Sequence, residues 1–331
     1  MSSFLIHDLP TSLADVLNDD CKNSFFPRLV SHILMACRII GDTMRDGGFS
    51  SAKIGSQNSF GDSQLDVDVK TDAVIFDALK KSGVVHIGSS EENPLEVPCG
   101  GTEEGPGFSV AFDPLDGSSI IDANFAVGSI FGIWQGNGLL NRCGREQCGA
   151  LITQYGPRVT TLIAVDKCFT KSGEMVAMEL TLVSDGWVVT LPRLSISPKA
   201  KTFAPGNLRA TADNPAYQRL VSYWIENKYT LRYSGGLVPD VYHIFIKGQG
   251  VLANASSPKA KAKLRLLFEA APIALIVEAA GGMTCACASE AGEAMSPCSL
   301  LDVVISDLDK RVGVCYGSSE EVQRFISHIY G

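Results

Sequence analysis

Two aspartates stand three positions apart in the stretch FDPLDGSS, residues 112–119. Pro114 prevents a helix from running through Asp113, because its ring restricts the preceding residue and it has no N–H to donate. An extended turn there brings the carboxylates of Asp113 and Asp116 together with the carbonyl of Leu115. Such hard oxygen ligands suit Mg²⁺ or Mn²⁺. A polar turn at the end of a strand explains the same spacing, so the stretch alone leaves both interpretations open.

Three small residues follow the second aspartate, namely Gly117, Ser118 and Ser119. If a helix begins here, its first backbone N–H groups point outward and form an anion site. Metal ligands that lead directly into phosphate-binding amides are what metal-assisted hydrolysis of a phosphate ester requires. The stretch therefore predicts a cation site next to a phosphate site.

Other carboxylates follow short apolar segments elsewhere in the chain. Glu91 and Glu92 follow the strand-like VVHIG, and Asp68 follows a short β-type segment in VDVKTD. We expect all three at strand ends, where α/β proteins usually build their sites. A set of such carboxylates would repel strongly without cations between them. A solvated loop accounts for Glu103 and Glu104.

Positive charge is concentrated late in the chain, in TLRYSGG and SPKAKAKLR. A solvated surface is the ordinary explanation for such a run. However, the second run continues into an apolar segment that carries Glu269. Our hypothesis is that Lys263 and Arg265 share one cleft with the Glu269 carboxylate.

The 331 residues are 45% hydrophobic and 19% charged, with a formal net charge of −8. These values are typical of a folded enzyme, and the acidic balance argues against nucleic acid as the main partner. No apolar run reaches the ~20 residues that a membrane helix requires. We expect a cytoplasmic protein, because we find no signal, transit or C-terminal targeting pattern. The ten irregularly spaced cysteines are expected to be free thiols.

The order of elements predicts an α/β protein with α+β layering, in which mixed sheets lie between helices. Helical spacing covers 23–46, and the second half of VDVKTDAVIFDALKKSG is also helical. MELTLVSDGWVVTL predicts a hairpin, KLRLLFEAAPIALIVEAA a long helix and LLDVVIS a strand. Composition shifts near 196, which predicts an N-terminal α+β subdomain over 1–195 with the metal and phosphate motif. A C-terminal α/β subdomain with the sugar contacts would then cover 196–331.

The motifs VDVKTD, SSEE, FDPLDGSS and LRLLFEAAP, in that order, resemble the fructose-1,6-bisphosphatase and inositol monophosphatase superfamily of metal-dependent sugar phosphatases. The finer resemblance is to the sedoheptulose-1,7-bisphosphatases, and it is carried by NSFGD, VAFDPLDGSSIIDANFAVGSIFGIW, YGPR, PGNLRAT and YTLRYSGGLVPDV. It implies an αβαβα sandwich of mixed sheets, two or three Mg²⁺ per subunit with Mn²⁺ as an option, and a homodimer or tetramer. The implied reaction removes the 1-phosphate of sedoheptulose 1,7-bisphosphate.

The resemblance also implies roles for individual residues. The metal ligands are Glu91, Asp113, Asp116 and Glu269, with the carbonyl of Leu115. The catalytic carboxylates are Asp68, Glu91 and Glu92, of which Asp68 and Glu92 orient or deprotonate the attacking water. The phosphate that is cleaved binds at Asp116, Gly117, Ser118 and Ser119. The sugar and its far phosphate bind at Asn207, Arg232, Tyr233, Lys263 and Arg265.

The sequence departs from its presumed relatives at two regulatory positions. Ser51 and Ser56 replace the cysteine pair through which thioredoxin switches plastid sedoheptulose enzymes, so we expect no such switch. Gly107 and Phe108 replace the Lys-Tyr pair of AMP-responsive fructose enzymes, which argues against inhibition by AMP. The sequence VLANASS also stands where the fructose enzymes offer a tyrosine to the sugar.

Three alternatives remain open on the sequence alone. A fructose-1,6-bisphosphatase, or an enzyme that uses both sugars, is the nearest. A G-x-G-x-x-A pattern from Gly248 to Ala253 favours NAD binding, although Ser256, Ser257 and Pro258 leave no room for the helix that this motif needs. The third alternative is a non-catalytic sugar-phosphate sensor on the same fold.

Overall fold

The computed structural model describes residues 9–17, 25–47, 53–57, 63–101, 105, 107–288 and 296–331. The helices are α1 Thr11–Ala14, α2 Phe25–Arg45, α3 Asp66–Ser82, α4 Pro215–Glu226, α5 Leu237–Lys247, α6 Ala271–Ala279 and α7 Ser319–Ile329. The strands are β1 Lys53–Gln57, β2 Ser63–Leu65, β3 Val85–Ser90, β4 Val97–Pro98, β5 Phe108–Asp116, β6 Val127–Gln135, β7 Gln147–Tyr155, β8 Val159–Val165, β9 Val176–Val183, β10 Gly186–Leu191, β11 Thr202–Gly206, β12 Thr230–Leu231, β13 Val251–Asn254, β14 Met283–Cys287 and β15 Gly313–Gly317. None of the described helices is both long and apolar enough to cross a membrane.

Two mixed sheets form the frame of the molecule. The larger has eight strands in the order β10-β9-β8-β7-β6-β5-β3-β4, and only β3 and β5 pair in parallel within it. The smaller has five strands in the order β12-β11-β13-β15-β14, in which β12, β11 and β13 run parallel. The larger sheet is built from residues 85–191 and the smaller from 202–317.

Three hydrophobic clusters show how the layers stack. The first joins α2 and α3 to one face of the large sheet through residues such as Val110 and Phe112. The second joins the opposite face, through Ala111, to α5, α6 and one face of the small sheet. The third joins α4 and α7 to the outer face of the small sheet. The resulting αβαβα sandwich confirms the predicted fold class.

The burial of β5 and α6 follows from their place between layers. All nine residues of β5 are buried, because the strand lies inside the sheet with helices over both faces. Residues 271–277 of α6 are likewise all buried, because a sheet lies on each side of this helix. Continuous burial without alternation therefore marks the centre of the sandwich, and in β5 it includes the polar residues Ser109, Asp113 and Asp116.

Several elements differ from the sequence predictions. The helix α3 begins at Asp66, so VDVKTD is helical throughout and Asp68 lies in a first turn instead of after a strand. The segment predicted as one long helix begins with a π-helical turn, Leu266–Ala270, before α6. LLDVVIS forms a 3₁₀ turn over Leu300–Asp302 and not a strand, because its partner contact is a single bridge at Val304. The predicted helix over 23–46 and the hairpin of β9 and β10 are confirmed.

The glycine pattern from Gly248 to Ala253 does not fit a dinucleotide-binding turn. It leads from the end of α5 into strand β13, whereas that motif runs from a strand into a helix. The cysteines agree with the sequence prediction, since all those in the described part of the chain are free. Ser51 and the stretch 58–62 lie outside the described residues, and so do Glu103 and Glu104.

Candidate functional site

The aspartate pair lies at a bulge near the end of β5. Asp113 pairs with Ile130 of β6 and Asp116 with Gly128, so one extra residue is accommodated on β5. Pro114 needs no hydrogen-bond partner for its nitrogen there, and its carbonyl accepts a hydrogen bond of 2.7 Å from the Ser129 hydroxyl. The bulge turns both carboxylates toward the same end of the large sheet.

A third carboxylate comes from the parallel neighbour of β5. Strand β3 ends at Ser90, opposite Phe112, and the backbone N–H of Glu91 donates to the Phe112 carbonyl at 3.0 Å. Because the carboxyl ends of parallel strands meet at one edge, Glu91 lies beside Asp113. The parallel pairing of β3 and β5 is therefore what joins two motifs that are distant in the sequence.

The fourth carboxylate, Glu269, comes from the π-helical turn before α6. It is 7% exposed, and its Oε2 accepts a hydrogen bond of 2.6 Å from the backbone N–H of Arg265. One ligand oxygen each from Glu91, Asp113 and Glu269 lies within 4.8 Å of the others. Residues separated by more than 150 positions in the sequence thus form one cluster.

The cluster carries a strong electrostatic cost. Burial raises the pKa of Asp113 well above its ordinary value, and the charges of neighbouring carboxylates raise it further. Burial also raises the pKa of Glu269 well above its ordinary value, with Glu91 adding to the rise and the N–H and charge of Arg265 opposing it. Buried like charges without compensation favour either protonation or a bound cation.

The donor set fits a hard divalent cation. Every donor in the cluster is a carboxylate oxygen, the kind of ligand that Mg²⁺ and Mn²⁺ prefer. Asp113 and Glu269 are buried and Glu91 is partly exposed, so the cluster reaches solvent at Glu91. The three carboxylates would hold a cation there, and the exposed position of Glu91 would leave access for a substrate oxygen.

Asp116 is bound in a different way from the other three. Its Oδ1 accepts a hydrogen bond of 3.0 Å from the N–H of Leu237, and its Oδ2 accepts one of 2.6 Å from Val238. Both donors are in the first turn of α5, where helix N–H groups have no partner inside the helix. Burial raises the pKa of Asp116 to about 7, although these N–H groups lower it. Asp116 is therefore fixed between the large sheet and α5.

The segment after Asp116 adopts the turn that an anion site needs. Gly117 has φ of 86°, a left-handed conformation that side chains rarely adopt, and a 3₁₀ helix over Ser118–Ala123 follows. The first N–H groups of such a helix have no partner within it. Ser119 is exposed and Ser118 is half-buried. The predicted helix is thus a short 3₁₀ turn, and its amino end lies directly after Asp116.

The two carboxylates predicted to act on water come from different elements, Asp68 from the first turn of α3 and Glu92 from the loop after β3. Asp72 of α3 accepts a hydrogen bond from Ser90, and the N–H of Glu92 donates to the Ser90 hydroxyl at 3.1 Å. Asp68 is one helical turn before Asp72, so both are on one face of α3. Asp68 is 5% exposed. Glu92 is therefore held next to Glu91, and Asp68 is buried on the face of α3 that also carries Asp72.

Three of the five residues predicted to bind the sugar and far phosphate, Asn207, Arg232 and Tyr233, lie at the ends of small-sheet strands. Asn207 follows β11, and Arg232 follows β12 and donates its backbone N–H to Phe203 at 2.9 Å. Because β11 and β12 are parallel, both residues lie at the same edge. Arg232 is exposed, and Tyr233 is 50% exposed. This edge offers accessible donors that do not belong to the carboxylate cluster.

Two members of that set have other partners. The Asn207 amide donates both its hydrogens, to the carbonyls of Ala255 and Ala260 at 2.8 Å each, which leaves only its oxygen available. The Arg265 guanidinium pairs with Glu91 and lies 3.0 Å from Asp309. Arg265 therefore lies at the carboxylate cluster, away from the exposed edge. Lys263 is exposed.

Two further carboxylates beside these groups, the half-buried Asp72 and the buried Asp240, are not among the predicted site residues. Asp72 supports the end of β3, and burial raises its pKa to about 6. Asp240 accepts hydrogen bonds from the segment that follows Tyr233. The helical register of α3 could have revealed Asp72, since it is four residues after Asp68. Asp240 lies within the family motif YTLRYSGGLVPDV, but nothing in its local pattern indicates which groups it contacts.

Comparison with known proteins places this site in a family. The model of the fructose-1,6-bisphosphatase N-terminal domain matches residues 14–176, and that of the C-terminal domain matches residues 196–330. A chloroplast sedoheptulose-1,7-bisphosphatase of Chlamydomonas reinhardtii is 45% identical over 97% of this chain and 77% of its own length. The chain belongs to the fructose-1,6-bisphosphatase family.

Other members of the family are also similar to the chain. A class 1 fructose-1,6-bisphosphatase of Trichlorobacter lovleyi is 36% identical, over 92% of this chain and 90% of its own length. A solved structure from Toxoplasma gondii, provisionally assigned as a sedoheptulose-1,7 bisphosphatase, is 39% identical with a TM-score of 0.84. That match covers 97% of this chain and 98% of the other. These matches confirm the resemblance and the fold predicted from the sequence.

The glycine that replaces a lysine in AMP-responsive members of the family has a packing reason. Gly107 has φ of 55°, and a Cβ atom there would lie 2.1 Å from the Nε2 atom of His86. Phe108 next to it is buried and packs against Phe26. A long polar side chain does not fit at position 107 without displacing His86. The absence of AMP inhibition stays a prediction.

Proposed function

We propose that this chain is a Mg²⁺-dependent phosphatase that removes the 1-phosphate of sedoheptulose 1,7-bisphosphate and releases sedoheptulose 7-phosphate. The observation that carries the proposal is the convergence of Glu91, Asp113 and Glu269 within 4.8 Å beside the amino end of a 3₁₀ turn. The identity of 45% to a chloroplast sedoheptulose-1,7-bisphosphatase supports the choice of sugar.

The carboxylates would hold the cation, with Asp116 and the Leu115 carbonyl as further ligands. A divalent cation bound there supplies positive charge for the phosphate oxygens and makes a bound water more acidic. The first N–H groups of the 3₁₀ turn and the hydroxyls of Ser118 and Ser119 orient the same phosphate. Arg265, held between Glu91 and Asp309, adds a fixed positive charge at this reacting end.

The proton of the attacking water would pass to Asp68 or Glu92. Asp68 shares a face of α3 with Asp72, which accepts a hydrogen bond from Ser90, and Glu92 follows Glu91 directly. Asp68 is buried in the first turn of α3, where the helix N-terminus stabilises its charge. Glu92 is less buried, which suits a group that must exchange its proton with solvent.

The far phosphate binds at the exposed edge of the small sheet. Arg232 and Tyr233 are the accessible donors at that edge, and the family resemblance adds the exposed Lys263. Binding energy gained at the unreactive end positions the reacting end without being lost during the reaction. These contacts therefore set KM more than kcat.

A second candidate substrate is fructose 1,6-bisphosphate. The identity of 36% to a class 1 fructose-1,6-bisphosphatase favours it, and the two sugars differ by only one CHOH unit. Specificity differences of that size are typically about 10- to 200-fold in kcat/KM. An enzyme that uses both sugars is compatible with the same site.

The experiment is phosphate release from both bisphosphates, with Mg²⁺, with Mn²⁺ and with EDTA. We expect turnover that depends on a divalent cation and a higher kcat/KM for the seven-carbon substrate. A higher value for fructose 1,6-bisphosphate would replace the first candidate with the second. Turnover of neither sugar would leave a sugar-phosphate sensor, and calorimetry with both bisphosphates would then detect binding without hydrolysis.

Cytoplasmic location and a homodimer or tetramer belong to the same proposal. The family resemblance supports the assembly, and the location rests on the expectation from the sequence alone. Fluorescence microscopy of the tagged chain tests the location, and light scattering of the purified protein tests the oligomeric state. A monomer in solution that is fully active would remove assembly from the proposal.

A further inference from the structure

Asp240 is a buried carboxylate that the proposed reaction does not use. It lies in the first turn of α5 and is 6% exposed. Its Oδ1 accepts hydrogen bonds from the backbone N–H of Ser234 at 2.6 Å and from the Ser234 hydroxyl at 2.8 Å. Its Oδ2 accepts one from the N–H of Gly235 at 3.1 Å. Three donors from two consecutive residues thus converge on one side chain.

These donors belong to the loop that carries the far-phosphate groups. Ser234 and Gly235 follow Arg232 and Tyr233 directly, and the loop ends where α5 begins at Leu237. The hydroxyl of Ser234 also accepts a hydrogen bond of 3.3 Å from the N–H of Gly236. Asp240 therefore folds this loop back onto the helix that follows it.

The same turn of α5 holds the reacting end of the site. The N–H groups of Leu237 and Val238 donate to the Asp116 carboxylate at 3.0 and 2.6 Å. Asp240 is only two residues beyond Val238, in the same helical turn. One rigid turn thus binds Asp116 on one side and the Ser234–Gly235 loop on the other.

We propose that Asp240 is a positioning residue that fixes the spacing between the far-phosphate loop and Asp116, and so sets the affinity for a sugar that carries a phosphate at each end. The inference rests on the proposed function. Asp240 touches neither phosphate, so it acts through Arg232 and Tyr233. Its loss should weaken binding of the far phosphate and leave the chemical step intact.

The test compares Asp240→Asn with wild type on sedoheptulose 1,7-bisphosphate. Asparagine has nearly the same volume, but it offers one acceptor oxygen and places an NH₂ donor against one of the loop donors. We expect KM to rise about tenfold, a usual effect of losing one charge-assisted hydrogen bond, with kcat unchanged. The inhibition constant of sedoheptulose 7-phosphate, which carries only the far phosphate, should rise by the same factor. The inhibition constant of inorganic phosphate should not change.

Glu321→Gln is the matched control. Glu321 is also a buried carboxylate in the first turn of a helix, α7, and is 1% exposed. It accepts hydrogen bonds from the Trp224 indole at 2.8 Å and the Tyr229 hydroxyl at 2.9 Å. It lies in the outer helical layer, so its substitution should lower the melting temperature without raising KM. A KM increase of equal size in both variants would overturn the proposal, because it would report general loosening.

The outcomes separate the two proposals. If wild type hydrolyses the bisphosphate and a folded Asp240→Asn variant keeps its KM, the positioning role is wrong and the function stands. If wild type hydrolyses neither bisphosphate with Mg²⁺, the function is wrong and the positioning role falls with it. If Asp240→Asn does not fold, the Ser234→Ala variant is measured instead. It removes the hydroxyl that donates to Asp240 and leaves the carboxylate in place. Unchanged KM in that variant would then overturn the proposal.

Discussion

The Oε2 atom of Glu269 lies 2.6 Å from the backbone nitrogen of Arg265, across the π-helical turn that precedes α6. The two residues are four positions apart and have side chains of opposite charge. The guanidinium of Arg265 also forms an ion pair with Glu91. The turn therefore presents a carboxylate and a guanidinium to the same cluster. An ordinary α-helical start would rotate Glu269 relative to Arg265, which explains why the wider turn occurs at the site.

The first prediction concerns Glu269→Gln. The substitution removes one charge from the carboxylate cluster, so we expect the Mg²⁺ concentration for half-maximal activity to rise about a hundredfold or more. Titration of phosphate release against Mg²⁺ measures it. Glu278→Gln is the control, because Glu278 lies at the other end of α6 and bonds Thr284 and Ser299. If wild type, Glu269→Gln and Glu278→Gln all reach half-maximal activity at the same Mg²⁺ concentration, Glu269 is not a ligand of the cation.

The second prediction is that Mg²⁺ binding strengthens as the pH rises. Protons compete with the cation because the pKa values of Asp113 and Glu269 lie well above their ordinary values and that of Asp116 is about 7. Binding should therefore release protons, and the dissociation constant should fall between pH 6 and 8. Calorimetry in two buffers of different ionisation enthalpy measures the released protons. Binding that is independent of pH would contradict the assignment.

The same shifts predict how the metal-free protein responds to pH. A carboxyl whose folded pKa is raised binds more protons in the folded state, so stability falls as pH rises from the unfolded to the folded value. For Asp116 that window extends from 3.8 to about 7. We expect the melting temperature in EDTA to fall across this window and saturating Mg²⁺ to remove most of the fall. Identical pH profiles with and without Mg²⁺ would exclude the cluster as the cause.

The fourth prediction concerns Asp72→Asn. Burial raises the pKa of Asp72 from 3.8 to about 6, so the charged side chain destabilises the folded state at higher pH. The neutral amide should increase the free energy of unfolding by about 1–2 kcal/mol at pH 8 and by much less near pH 4. Urea unfolding at both values measures the difference. Asp77→Asn on the same helix is the control, since Asp77 is exposed and pairs with Lys81.

The sequence was sufficient for the parts of the site that are local. FSVAFDP predicts the strand and Pro114 predicts the extended backbone that brings Asp113 and Asp116 together, whereas the structure continues β5 to Asp116 through a bulge. The start of α3 was misjudged because the alternation in VDVKTD imitates a strand, whereas Asp66 and Asp68 are favourable in a first helical turn. The sequence does not indicate the role of Asp240, because its partners Ser234 and Gly235 lie in the loop before α5 and contact it only once that loop is folded against the helix. Long-range pairing of this kind leaves no periodic pattern in the sequence.

Lys263→Ala distinguishes a substrate contact from a solvated surface. Lys263 is exposed at the end of a run of basic residues, two positions before Arg265. If it binds the far phosphate, its loss should raise KM about tenfold and leave kcat unchanged. Lys259→Ala is the control, because Lys259 is an exposed member of the same run. If both variants keep the KM of wild type, the whole basic run is a solvated surface.

Asp116→Asn tests the centre of the site. Both oxygens of Asp116 accept N–H groups of α5, and burial raises its pKa, so the carboxylate is held where a cation and a phosphate would meet. The amide would lose the negative charge and turn a donor toward Leu237 or Val238. We expect kcat to fall by about 10³-fold or more, with a circular dichroism spectrum like that of wild type. Asp185→Asn, in the hairpin turn between β9 and β10, should keep full activity. Near-normal turnover by a folded Asp116→Asn protein would end the proposed mechanism, because that mechanism needs the negative charge of Asp116 at the cation and phosphate sites.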